Sequence, residues 1–337
     1  MKPEASISHS ATKMKNRQGG NFLSGRSISP IHLGWITSTW YSIGHLRRYR
    51  SLSDVSPVLG TIEDDGQVDI RGNADLVSRF HKSGMRVWGR VVLRRDTYDQ
   101  SHSLLSDPSR IQSVAVQLGK SAKQNRWDGV NVDIENVSPT DRYAFSHFIK
   151  QLGSALHPSH IPLSVDIPPD SHKGENTHAA FDHRVLGKWC DYVVLMGYDQ
   201  HWATDPISGP ITSLPWLIGG VKDLLATGIP SSKIVLGLPS YTRLWILNPR
   251  GKVLRNPAFS TASLEKLLKA HHRDLTWDDH MKEYYTQFKK NGKIQRVWLE
   301  DDRSLNTYLS LVKQYHLAGS AIWSLNLMAP EDWNRLY

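Results

Sequence analysis

The chain has 337 residues, 39% of them hydrophobic, enough to bury one large α/β core or two smaller ones. Its single cysteine, Cys190, excludes an intramolecular disulfide and a cysteine-based metal cluster, and reads as a small core residue. The formal charge of +9 favours an anionic partner, yet the basic residues are dispersed, no segment resembles a nucleic-acid module, and no run is apolar enough for membrane insertion.

Residues 1–30 are polar, rich in Ser, Lys, Arg, Asn and Gly, and have no apolar secretion-signal core; they are expected to form a disordered tail on a protein synthesised in the cytoplasm without export. From Ile31 onward, short apolar strands alternate with amphipathic helical stretches. The predicted strands are Ile31–Ile36, Pro57–Ile62, Arg86–Leu93, Gly129–Glu135, Pro162–Ile167, Tyr192–Tyr198, Lys233–Leu238 and Gly319–Ser324. Apolar residues at three- and four-residue spacing predict helices over Asn73–Ser83, Pro108–Arg126, Thr140–Leu156 and Trp216–Thr227. Eight strands with intervening helices argue for a single (β/α)8 TIM barrel over residues 31–337. A doubly wound open sheet is the alternative, but it calls for a glycine-rich phosphate loop after an early strand, and none is present.

The spacing breaks after Tyr241. The stretch from Leu247 to about Asp301 carries a helix-like Ser263–His271, an amphiphilic Tyr284–Phe288, an Asn291-Gly292 turn and a short strand Arg296–Leu299, which predict a small α+β insertion at the barrel mouth. Ser304–Tyr315 is then the seventh barrel helix.

The most informative segment is Asp128-Gly129-Val130-Asn131-Val132-Asp133-Ile134-Glu135. Its period-2 alternation puts Asn131, Asp133 and Glu135 on one face and Val130, Val132 and Ile134 on the other. Burying two acids and an amide inside a barrel is costly without compensation, so the pattern points to acid–base chemistry. Sixteen histidines show no convergent ligand spacing, and no metal or cofactor is expected. Twelve tryptophans and twelve tyrosines suit stacking on sugar faces as well as core packing.

This segment resembles the Asp-x-x-Asp-x-Asp-x-Glu signature of the family 18 glycoside hydrolases, the chitinase-like barrels. Asp128, Asp133 and Glu135 match it, and Asn131 replaces an acid by its amide. Four further segments are similar to the same family, nearest its bacterial spore cortex-lytic subgroup. They are Met196-Gly197-Tyr198-Asp199 followed by His201-Trp202, Gly237 to Arg243, Val297 to Asp301, and Ala321 to Leu325.

The resemblance implies an N-acetylglucosaminidase acting on a polysaccharide that contains N-acetylglucosamine, with spore peptidoglycan favoured and chitin as the alternative. It implies a retaining mechanism in which the substrate's own N-acetyl group is the nucleophile. Glu135 would be the general acid/base with a pKa above that of a free Glu. Asp133 would orient the acetamido group, and Tyr198 would hydrogen-bond its oxygen. Asn131, Asp199, Tyr241, Arg243 and Trp323 would support or bind substrate, Asn131 by bonding Asp133 and Trp323 as the floor under the reacting sugar. A glycan-binding protein without catalysis is the rival reading, and the presence of Glu135 weighs against it.

Overall fold

The computed structural model describes residues 30–37, 43–71, 73–170 and 179–337. The expected tail, residues 1–29, therefore lies outside the described residues. Eight parallel strands close on themselves: Ile31–Ile36, Asp54–Ile62, Arg86–Leu93, Gly129–Val132, Leu163–Ile167, Tyr192–Met196, Ile234–Pro239 and Gly319–Trp323. Each pairs with its neighbour in chain order, and the first pairs with both the second and the eighth, Leu33 against Asp54 and against Ala321. An antiparallel ribbon, Val68–Ile70, extends the second strand. This is the closed (β/α)8 barrel expected from the alternation.

Helix boundaries follow local chemistry. Asn73, Asp107 and Asp301 each accept a backbone N–H as side-chain caps for Ala74–His81, Pro108–Asn125 and Asp302–Gln314. The outward face of the fourth strand, Val130, Val132 and Ile134, is wholly buried against the helices, in one cluster with Ile111, Leu118, Phe145 and Phe148. Each such aliphatic side chain stabilises the fold by about 1.5–3 kcal/mol relative to exposure. The inward face holds a second core of Leu33, Trp35, Trp88, Val194, Met196, Val235 and Ala321.

Most element ends shift by one to three residues, the second strand beginning at Asp54 rather than Pro57, and three differences from expectation bear on the barrel mouth. Regular pairing of the fourth strand stops at Val132, not Glu135. The Asp133 N–H still donates to Val91 O at 2.9 Å, but the N–H groups of Glu135 and Asn136 turn to the Asp96 carboxylate at 3.3 and 3.4 Å. The sixth strand likewise ends at Met196 rather than Tyr198. There Gly197 donates to Gly237 O at 2.9 Å, and an added Cβ would lie 2.7 Å from that oxygen, so the backbones approach too closely for a side chain.

The insertion begins at Tyr241 rather than Leu247. Barrel pairing ends at Pro239, after which the Ser240 N–H makes one last bond to Trp323 O at 2.9 Å. Tyr241–Leu247 then enters an antiparallel sheet with Lys293–Leu299, Glu283–Lys290 and Thr276–Asp278, with Val253–Arg255 and Ala258–Ser260 on its other edge. Asn291 and Gly292 both have positive φ, 50° and 68°, in the two-residue hairpin turn their sequence predicts. Helix Thr261–Ala270 packs Leu264 and Leu268 on Leu244, Ile246, Val297 and Leu299 of one sheet face.

Candidate active site

The alternation in the fourth strand carries through to the mouth. Asn131 is 1% exposed, Asp133 9%, and Glu135 is exposed, so the three inward positions climb from the barrel interior to solvent. Glu135 hydrogen-bonds Asp133 through its side chain. Asp133 in turn accepts from Arg90 Nη1 at 3.1 Å. The Asp133 carboxyl is held above the ordinary carboxylate range by burial, which outweighs the opposing charge of Arg90.

Asn131 does not bond Asp133 as expected. Its Oδ1 accepts from Trp35 Nε1 and Ser56 Oγ, both at 3.1 Å, and its Nδ2 donates to Ser164 Oγ at 3.1 Å and Asp166 Oδ1 at 2.7 Å. With its amide engaged by barrel groups on both sides, it lies beneath the site as a support, not among the groups a substrate would touch. Asp166, from the fifth strand, is pushed well above the usual carboxylate range, first by burial and then by the neighbouring Asp133.

Tyr198 and Trp323 meet at the same level from opposite sides of the chain. Their rings stack at 6.3 Å with 17° between planes, and Trp35 stands edge-on to both. Trp323 is half-buried, leaving ring surface at the mouth. Burial, followed by the charges of Glu135 and Asp166, raises the Tyr198 phenol well above its ordinary value, so it is a neutral hydrogen-bond donor at physiological pH.

Asp199, which a regular strand would turn away, has φ of 57°. This left-handed bend aims its carboxylate at the insertion. There it accepts from Tyr241 Oη at 2.5 Å and from Arg243 Nη2 at 3.4 Å. The first strand of the insertion thus supplies one wall of the mouth. Asp128 sits at the strand entry, accepting from Val87 N at 2.7 Å and contacting His81 Nε2 at 2.7 Å, a structural place far from the mouth.

Three groups were missed in the sequence: Arg90, Asp96 and Asp166. Asp166 does sit in an alternating strand, Leu163–Ile167, so its inward orientation was available. Arg90 lies in a strand whose basic and apolar residues give no clear period. Asp96 follows two arginines in a loop and carries no pattern. Among the described residues, no group of three or more His, Cys, Asp or Glu is placed to hold a metal ion, and no helix is long and apolar enough to cross a membrane.

A carboxylic acid at an open mouth, a buried carboxylate beneath it, a phenol and an indole face form a site suited to acid-catalysed cleavage of a sugar. Curated proteins similar to this chain include the uncharacterized glycosylase YvbX of Bacillus subtilis (strain 168), 25% identical over 312 residues, covering 88% of this chain and 89% of that protein. The cortical fragment-lytic enzyme of Bacillus anthracis is 28% identical over 252 residues, covering 71% of this chain; the chain spans only 55% of that relative's length. Among solved structures, the chitinase from Chromobacterium violaceum ATCC 12472 matches with a TM-score of 0.79 at 24% identity, over 91% of this chain and 98% of that one. The spore cortex-lytic enzyme SleL of Bacillus megaterium QM B1551 matches at 0.74 and 21%, over 90% and 72%. At these identities the structural likeness speaks for the fold. The profile described as Glycosyl hydrolases family 18 matches residues 95–327, more than half of the chain and the whole span from Asp96 through Trp323, and the chain belongs to that family.

Proposed function

We propose that this barrel hydrolyses the β-1,4 bond at N-acetylglucosamine in peptidoglycan, the spore cortex included, by a retaining and substrate-assisted route. The observation that carries the reading is the hydrogen-bonded Asp133–Glu135 pair, with only Glu135 open to the mouth, beside the Tyr198 and Trp323 rings. In this reading the sugar stacks on Trp323, and its acetamido oxygen attacks the anomeric carbon as Glu135 gives its proton to the departing glycosidic oxygen. The Asp133 carboxylate aligns the acetamido N–H and balances the charge of the oxazolinium ring. The Tyr198 hydroxyl donates to the acetamido oxygen. Glu135, now a carboxylate, takes a proton from water as that water opens the ring from the same face, so configuration is retained. Asp199, Tyr241 and Arg243 line the mouth and bind the neighbouring sugar.

The kinship with cortical fragment-lytic enzymes and the positive net charge support a wall polymer over chitin. The test is incubation with purified cortex peptidoglycan, vegetative peptidoglycan and chitin oligomers, with released reducing ends identified by mass spectrometry and the first-formed anomer read by NMR. Retained β configuration and N-acetylglucosamine at the new reducing end of cortex fragments are expected. Inversion, or cleavage confined to chitin, would overturn the mechanism or the substrate respectively.

A further inference from the structure

The charge arrangement around Asp133 is unusual for a site built to stabilise a cation, because a second cation is buried within it. Arg90 lies on the inward face of the third strand, 3% exposed. Its Nη1 donates to Asp133 Oδ2 at 3.1 Å and its Nη2 to Ile36 O at 3.4 Å. The guanidinium also lies over the Trp323 indole, 4.8 Å from the ring centroid. A guanidinium at this depth is tolerated only when matched by a counter-charge and hydrogen bonds, and Asp133 provides that match.

The groups that act on Asp133 come from every side. Arg90 approaches from the third strand, Asp96 from the loop after it, Glu135 from its own strand, Asp166 from the fifth and Tyr198 from the end of the sixth. Among them Arg90 is the cation. An acid at position 131 could trade a proton with Asp133 through the barrel interior; the amide of Asn131 cannot, and it is committed to Asp166 and Ser164.

We propose that Arg90 is a positioning residue for the hydrolysis, whose ion pair keeps Asp133 a carboxylate in place at the mouth and whose flat face seats Trp323 beneath the sugar. This rests on the functional reading above and deepens it, by naming the group that takes the place of a proton-sharing acid. The direction of the electrostatics agrees. Burial and the Asp96 charge favour the protonated form of Asp133, and the Arg90 guanidinium, with the Glu135 hydrogen bond as a smaller contribution, opposes them. Without Arg90, a neutral Asp133 would face the oxazolinium ring and could not balance its charge.

The test compares wild type with Arg90→Met, which keeps the apolar stem and deletes the charge, and Arg90→Lys, which keeps the charge and loses the planar fork. Arg90→Gln serves if the Met variant does not fold. Carboxyl 13C NMR follows the titration of Asp133, assigned by the signal lost in Asp133→Asn, and the pH profile of hydrolysis is measured in parallel. In Arg90→Met the Asp133 midpoint is expected to rise by about 1–3 units, with the acidic limb of kcat/KM moving up beside it and kcat falling more than KM changes. Arg90→Lys should restore most of the shift. A purely structural role would lower the melting temperature and leave the Asp133 midpoint in place, and that result overturns the proposal. A midpoint that moves in a protein hydrolysing none of the glycans would sustain the Arg90–Asp133 assignment and refute the hydrolase reading instead.

Discussion

Asn131→Asp would restore the acid found in the chitinase signature, and the structure indicates a cost. Two of the four bonds survive, because Trp35 and Ser56 both donate to Oδ1, which an aspartate retains. The other two are donations from Nδ2, at 3.1 Å to Ser164 and 2.7 Å to Asp166, and a carboxylate cannot make them. Each buried acceptor stripped of its donor costs about 1–3 kcal/mol. Ser164 recovers part of this by turning its hydroxyl toward the new carboxylate, since its present donation to Val130 O is long at 3.4 Å. The loss then falls mainly at Asp166, where two carboxyl groups at hydrogen-bond distance must share one proton. A destabilisation of about 2–4 kcal/mol at neutral pH follows. The sign with pH is fixed by linkage. Asp166 is already raised in the wild type, where the Asn131 donor opposes the shift. Replacing that donor by a second carboxyl raises the shared proton further, so the folded variant holds it to higher pH than wild type does and the penalty grows as pH rises. Urea denaturation of both proteins at pH 5 and pH 8 measures this directly. A variant as stable as wild type at pH 8 would mean that the Asn131–Asp166 bond is not a structural support.

Glu135→Gln keeps shape and reach but removes the transferable proton, and turnover should fall by at least about 10²-fold, with glycan affinity and thermal stability little changed because the side chain is exposed at the mouth; equal turnover in the variant would exclude Glu135 as the acid. Glu283 and Glu300 are raised well above the usual carboxylate range, first by burial, with the Glu300 charge adding to the shift at Glu283. Both oxygens left unpartnered, Glu283 Oε2 and Glu300 Oε2, are buried where the insertion meets the barrel. Folded groups raised in this way contribute stability that is present below the unfolded Glu value and lost as pH rises, so Glu283→Gln should match wild type near pH 4 and exceed it increasingly at pH 6 and 8, with the Tyr308 hydroxyl still able to donate to its oxygen. A variant less stable than wild type at pH 8 contradicts this. Gly129→Ala would place a methyl 2.2 Å from Trp88 Cε3, so it should cost about 1–3 kcal/mol by overpacking in chemical denaturation; a neutral effect would show that the indole yields freely.

Local pattern sufficed for the elements and for the two faces of the fourth strand. A strand must alternate and a buried helix must show three- and four-residue spacing whatever surrounds them, so the eight strands, the helix between Pro108 and Arg126 and the Asn291-Gly292 hairpin were legible in the residues themselves. The same alternation separated Asn131, Asp133 and Glu135 from Val130, Val132 and Ile134. What tertiary structure alone decided is which distant groups meet that face. Tyr198 and Trp323 were expected there only through the resemblance, and Arg90 and Asp166, from two further strands, carry no local mark of their convergence, because barrel closure, not sequence spacing, brings these groups to Asp133. The end of pairing at Val132, after which the Glu135 and Asn136 N–H groups turn to Asp96, the left-handed turn at Asp199 toward Tyr241 and Arg243, and the departure of Tyr241 into the insertion are likewise set by partners distant in the chain. A side chain's orientation depends on its own backbone, but its charge state depends on burial and partners that the chain acquires only by folding.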